Sequence, residues 1–344
     1  MPQNRIFYAC QAVAIKSTLG SGGTDIAAAD IVRGLQTVGM SSTFSLDQVF
    51  EMGQIEIYEN IEDVADVEVT LEKVIDGYRF IWDYASNGTC KTDLVTASKN
   101  RCDVFLAIFD DGLSHATGIP RNVCWNSGMY TSSVSYSYSV DGSATESVTL
   151  VGNDRMWNTV EGDAGRDGNE GWKADRTAGV FDGNDAPLSG VVRRVDVDVD
   201  GSTLPGIVTS QMSDPLQAGT NSKGAHLQSI TVSTDMSQDN ITELGRFGPY
   251  ARYATFPIEV TAEFEVIATS GDLVSVSGST TNLTNQEIVV KDTAGTIINL
   301  GSANKLSNVS YSGGDTGGGN ATVSYSFSNF NVLTVNGGMS ANLS

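Results

Sequence analysis

A chain of 344 residues, 40% apolar and 18% charged, is long enough for two ordinary domains and too apolar to remain disordered. Forty-one acidic against 20 basic residues give a formal charge of -21, which excludes a phosphate grip built on clustered lysine and arginine and disfavours an anionic membrane surface. Thirty-seven glycines, with abundant serine, threonine and valine, describe a turn-rich β protein.

The start, MPQNRIFYACQAVAIK, lacks the unbroken apolar core of a signal peptide, and no stretch reaches the ~18 apolar residues of a membrane span. The chain is expected to stay in the cytosol until assembled. The four cysteines, Cys10, Cys90, Cys102 and Cys124, contain no CxxC and crowd into the first 124 residues. Buried thiols are expected, a Cys90–Cys102 bridge being the alternative in an oxidising medium.

In chain order, strands are predicted at 6–16, 67–72, 77–84, 102–110, 130–140 and 145–151. The segment DLVTASKNR, 93–101, is the one convincing helix, with Thr92 or Asp93 as its cap. Residues 153–188, dense in Gly, Asp and Asn, read as a linker or long surface loop that Trp157, Trp172 and Phe181 tie down. Further strands are predicted at 191–199, 229–234, 258–266, 286–291, 306–312, 320–327 and 330–335, and a short helix over TNLTNQ, 281–286.

The chain echoes itself. LQTVGMSSTFSLDQVFEMGQ at 35–54 and LQSITVSTDMSQDNITELGR at 227–246 share Leu, Gln, Ser, Asp, Glu and Gly at matching places. VEVTLE at 67–72 answers IEVTAE at 258–263, and SVSYS at 133–137 answers NVSYS at 308–312. The offsets are 192 (Leu35 to Leu227), 191 (Glu68 to Glu259) and 175 (Ser133 to Asn308), always in the same order. A tandem duplication follows: copy 1 over 1–152, the linker over 153–188, copy 2 over 189–344. The fold class is mainly β, two sandwich or barrel-like domains with a flanking short helix.

Chemistry has thin support. The two histidines, His115 and His226, sit in polar loop-like surroundings, and no GxSxG, HExxH, phosphate loop or dinucleotide fingerprint occurs. DVDVDG at 196–201 begins like a calcium loop, but Ile207 stands where a bidentate glutamate is needed, and strict alternation makes it the end of a strand. SGGDTGGGN at 312–320 has no helix after it to bind phosphate and reads as a hairpin loop. Glu68, Glu72, Glu259, Glu263 and Glu265 could mimic a glycosidase pair, yet alternate residues on one strand more simply form a solvated face. No catalytic residue, cofactor or metal is assigned.

The segment LQSITVSTDMSQDNITELGRFGPYARYATFPIEVTAEFEVIATSGD, and its partner LQTVGMSSTFSLDQVFEMGQIEIYENIEDVADVEVTLEKVIDG, resemble the tail tube (major tail) proteins of tailed bacteriophages. The pattern is a strand, a long polar loop with an ELG-like turn, and a PxEV strand ending in Gly-Asp. Copy 1 departs from it, with QIEIY in place of the RFGPY turn and an additional helical segment. The resemblance implies a virion protein in which six tube domains close into a ring and rings stack into a channel for DNA ejection. With two domains per chain, three chains would imitate a hexamer; six, with the second copies outside, is the alternative. The long loops would then stack on neighbours through Asp47, Glu51, Gly53, Tyr58, Asp239, Glu243, Gly245, Pro249, Tyr250 and Arg252. Glu68, Thr70, Glu72, Glu259, Thr261, Glu263 and Glu265 are candidates for the channel wall, where like charge lets double-stranded DNA slide without sticking. Implied partners are further copies, a tape measure, a terminator, a baseplate and a sheath, with no membrane. A baseplate hub or tail-completion protein of the same fold is the nearest rival, a glycan-binding adhesin a more distant one.

Overall fold

The computed structural model describes residues 5–17, 30–87, 91–111, 120–159, 189–199, 201–210, 226–269, 271–275, 284–314 and 319–337. A 3-10 turn at Tyr8–Cys10 leads into β1 (Gln11–Ser17), followed by β2 (Leu35–Thr43), β3 (Leu46–Phe50), β4 (Ile57–Glu62) and β5 (Asp66–Val74). Helix α1 (Ile81–Ala85), β6 (Lys91–Asp93) and helix α2 (Leu94–Ala97) precede β7 (Arg101–Ile108), β8 (Asn122–Ser139), β9 (Thr145–Gly152) and β10 (Asp154–Thr159). After α3 (Gly206–Ser210) come β11 (Leu227–Asp235), β12 (Gln238–Ile241), β13 (Ala251–Ala254), β14 (Glu259–Ile267), β15 (Val289–Lys291), β16 (Ile297–Asn299), β17 (Lys305–Ser312), β18 (Thr322–Phe330) and β19 (Thr334–Asn336). The mainly β class expected from the sequence is the class observed.

Eleven strands form one antiparallel sheet whose main path reads β2-β5-β9-β8-β11-β14-β18-β17. Strand β8 spans 18 residues because it serves two layers: its first half pairs with β7 and β10, its second with β9 and β11. The path contains one four-strand order twice, β2-β5-β9-β8 and then β11-β14-β18-β17, joined where β8 meets β11.

The registers match as well as the order. Strand β2 runs against β5 from Thr37↔Glu72 to Thr43↔Asp66 with a bulge after Leu35, and β11 runs against β14 from Ser229↔Glu265 with a bulge after Leu227. The β8–β9 ladder has its bulge between Thr131 and Ser133, the β17–β18 ladder between Leu306 and Asn308. Thr70 faces Thr149 in the first unit, and Glu263 faces Ser326 in the second.

One face of the sheet is the core. Val69, Leu71, Val148, Val232, Phe264 and Phe327 point into it, the two phenylalanines meeting edge to face at 5.9 Å. Helices α1 and α2 and the small sheet β15-β16-β19-β6 share that same apolar cluster, Thr92 of β6 pairing with Val335 of β19. The small sheet therefore ties residues near 92 to residues near 335. A second cluster lies beyond β1, β7 and β8, where Phe105 stacks on Trp125 at 6.0 Å.

Several sequence-based expectations are corrected. The segment 77–84 is a turn and a helix, because Gly77 adopts φ +85° and the buried Glu146 carboxylate receives the N–H groups of Ile81 and Trp82, starting α1. Helix α2 begins where expected, with Asp93 accepting from the Thr96 N–H, but stops at Ala97 because strand β7 claims Arg101 onward. Residues 8–10 are 3-10 turn, and 330–335 splits between the end of β18 and the start of β19. The segment 191–199 is a chain of turns with isolated bridges at Arg193 and Val197. The first residues of the expected linker form β10 on β8, whereas residues 189–192, expected in copy 2, bond to Ile75, Asp76 and Ala144. Cys10, Cys102 and Cys124 are buried free thiols, as expected. Cys90, His115, Trp172, Phe181, residues 281–283 of the expected second helix and most of the linker lie outside the described residues.

Candidate assembly surface

Because side chains alternate along a strand, the face opposite the core is fixed by the same registers. Glu68, Thr70 and Glu72 of β5 and Glu259, Thr261, Glu263 and Glu265 of β14 all lie on it, exposed or half-buried, while Val67, Val69, Val260 and Ala262 turn inward. Between these acidic strands the face is hydroxyl-rich, with Ser133, Ser135, Ser137 and Ser139 on β8 and Ser229, Thr231 and Ser233 on β11, and beyond β14 it continues with Ser324, Ser326 and Ser328 on β18. The same bond recurs in both units, Thr37 donating to Glu72 at 3.3 Å and Ser229 to Glu265 at 3.4 Å. A face of small hydroxyls and carboxylates, with Lys305 at its β17 edge, is well solvated and offers no cluster of cations to hold phosphate among the described residues.

The two long polar loops are not irregular. Each is a two-stranded arm, β3 with β4 and β12 with β13, continuing from the ends of β2 and β11. Both turn through a glycine with positive φ at the same distance along the arm, Gly53 at +100° and Gly245 at +85°. A side chain there would be strained, which is why the echo keeps glycine at both places.

The arms carry most of the residues expected to make contacts. Asp47, Glu51, Gly53 and Tyr58 on the first arm and Asp239, Glu243, Gly245 and Tyr250 on the second are exposed, and Pro249 is half-buried. Large apolar side chains accompany them in solvent: Val49, Phe50, Met52, Ile55 and Ile57 on one arm, Leu244 and Phe247 on the other. Contiguous apolar exposure of this kind marks an interaction surface.

Arg252 is the exception among the expected contact residues. Its side chain is only 7% exposed, and it donates to the Asp66 carboxylate at 2.8 Å, the Asn153 side-chain Oδ1 at 3.0 Å and the Gly152 backbone carbonyl at 3.4 Å. It is engaged within the chain, fastening the second arm to the end of β5 and β9. Gln238 adds a bond to the Thr131 carbonyl at 2.8 Å, and the Met236 N–H donates to the Ser132 carbonyl at 2.6 Å. The second arm thus rests on the first four-strand unit. The first arm has no such support among the described residues, every residue of β3 and β4 being exposed.

Buried polar groups hold this frame. Lys73 pairs with Asp76 at 3.2 Å and donates to the Arg79 carbonyl. Glu146 accepts from the Tyr136 hydroxyl at 3.1 Å as well as from α1. Burial pushes its carboxyl up to about 7, against the opposing pull of Lys73 and of the donated hydrogen bonds. Tyr138 donates to Asp292 at 3.2 Å, and burial raises both groups. Among the described residues no group of three His, Cys, Asp or Glu side chains is arranged to hold a metal. Asp196 and Asp198 of the calcium-like stretch accept from the N–H groups of Arg193 and Gly201 and so serve as turn caps.

Sequence reasoning missed the Arg252 anchor, the exchange of β6 into the small sheet and the role of Met236. The echo held a signal for Met236, an apolar residue at the same place in both copies, Phe44 and Met236.

No known family matches the sequence, and no curated protein does. Solved structures similar to the chain include the PVC sheath–tube complex of an extracellular contractile injection system in the extended state, at 12% identity and TM-score 0.34, covering 46% of this chain and 94% of that one. The tube-terminating cap of the anti-feeding prophage is similar at 14% identity and TM-score 0.33, over 46% of this chain and 94% of its own. The PVC sheath/tube terminator in the extended state is similar at 13% and 0.33, over 46% and 100%.

Proposed function

We propose that the chain is a structural subunit that closes with two further copies into a pseudo-six-fold ring, rings of which stack into the tail tube of a phage-like particle. The observation that carries the reading is the repeated four-strand unit: the same order and bulges occur twice, and the halves join edge to edge through β8 and β11. A unit that joins a copy of itself head to tail within one chain can do so again between chains, and such heterologous contacts close into rings. The acidic, hydroxyl-rich open face becomes the channel wall, along which double-stranded DNA passes without adhesion. The arms reach the next ring, burying their apolar residues. The tandem duplication then serves to fill two neighbouring places of the ring with one chain. The tape measure, terminator, baseplate and sheath are the partners such a tube would meet.

Negative-stain microscopy of the purified chain at high concentration tests the reading. Hollow tubes with a uniform channel are expected. A single discrete ring that never stacks would indicate a hub or completion protein, and monomers that never associate would overturn the proposal.

A further inference from the structure

The outer edges of the sheet, β2 and β17, each pair on one side only among the described residues. We infer that they meet in a defined register between two copies, β17 of one against β2 of the next, and that Phe44 fills on the neighbour the socket that Met236 fills within the chain. This deepens the ring reading and rests on it.

The argument compares equivalent positions at the inner seam and the outer edges. Offsets of 192 between β2 and β11 and 175 between β8 and β17 carry one bulge onto the other, Leu35/Thr37 onto Leu227/Ser229 and Thr131/Ser133 onto Leu306/Asn308. Under them the inner pairs Val232↔Tyr136 and Ser233↔Ser135 become Met40↔Tyr311 and Ser41↔Ser310 between copies. Tyr136 is 0% exposed at the inner seam, whereas its counterpart Tyr311 is 55% exposed. Met236, the first residue beyond β11, is 0% exposed, and Phe44, the first beyond β2, is 69% exposed. Apolar side chains have been kept at edge positions where the single chain leaves them in water, and a second copy supplies the missing neighbours. A groove of about 900 Å³ runs beside Leu35–Val38, where Gly313 and Gly314, just beyond the neighbouring β17, would lie, while the equivalent inner groove, walled by Tyr138–Val140, is about 340 Å³. The correspondence fails at the end of the seam, where Tyr138 and Ser139 have Gly313 and Gly314 as counterparts.

Directly opposite residues of an antiparallel pair stand ~4.5–5.5 Å apart at Cβ, close enough for a disulfide after small adjustment. The test is the double variant Ser41→Cys/Ser310→Cys, with Ser41→Cys/Ser312→Cys as the displaced control, both checked for wild-type melting. Each is assembled, viewed by electron microscopy and oxidised before non-reducing electrophoresis. The inference expects covalent dimers and trimers from the matched pair, several-fold less from the control, and loss of assembly in Phe44→Asp without loss of the folded monomer. Rings or tubes that form without linking at the matched pair, or that link better at the displaced one, overturn the seam and leave the ring reading standing. Folded protein that forms no oligomer at all overturns both.

Discussion

Glu146 is wholly buried, yet it starts α1 by receiving two backbone N–H groups and the Tyr136 hydroxyl. Its carboxyl is raised from 4.5 to about 7, so the folded protein holds a proton that the unfolded chain has released. The stabilisation from this group is full below pH ~4.5 and is lost as the pH rises through about 7, a change of about 3 kcal/mol at ~1.4 kcal/mol per unit. Urea unfolding at pH 5 and pH 8 should therefore show wild type weakening with pH more than Glu146→Gln does; equal slopes would place the titration elsewhere. Alternation places Glu146 on the inward face with Val148 and Leu150, but nothing in TESVTL shows what could satisfy a carboxylate there, because Tyr136 and α1 come from other segments. Arg252 was legible as a contact residue but not as an internal one, because its partners Asp66 and Asn153 lie 186 and 99 positions away. Arg252→Ala should lower stability by about 1–3 kcal/mol, discounted for the exposed Asp66, and should speed amide exchange in β12 and β13 while leaving β3 and β4 unchanged.

At the scale of elements, period-two alternation found most of the sheet, and Val260, Ala262, Phe264 and Val266 face inward as it requires. Phe264→Ala removes a ring packed on Phe327 and should cost about 3–5 kcal/mol in equilibrium unfolding. The bulges reproduce the echo's offsets of 192 and 175 but not the 191 that the sequence suggests for the acidic strands. The ladders give 193 there, Glu68 corresponding to Thr261 and Thr70 to Glu263. Both alignments put carboxylates on one face, since they differ by two residues and the strand repeat is two. Elements decided by distant partners escaped: α1 depends on Glu146, α2 yields to β7, and β6 pairs with β19 across the length of the chain. The arms were foreseen as long loops and are paired strands, because their exposed alternation carries no buried face to betray it.

For the whole molecule, the acidic open face makes a claim separate from the ring itself. Replacing Glu68, Glu72, Glu259, Glu263 and Glu265 by Lys turns a repelling wall into a phosphate-binding one. Assembled wild type should leave linear double-stranded DNA free at low salt, whereas the variant should retain it, losing it again as salt rises. Retention by wild type would contradict the assignment of that face. The charge of -21 was legible at once, but that Glu68 and Glu72 of β5 share one sheet face with Glu259, Glu263 and Glu265 of β14 required the registers. The central claim is that two equivalent four-strand units in one chain occupy neighbouring places in a closed sheet. Cryo-electron microscopy of the assembled tube, with chains counted in one ring, tests it most directly. Three chains per ring, supplying six similar units around the channel, is the predicted result; six chains per ring, with the second unit of each held outside the wall, would contradict it.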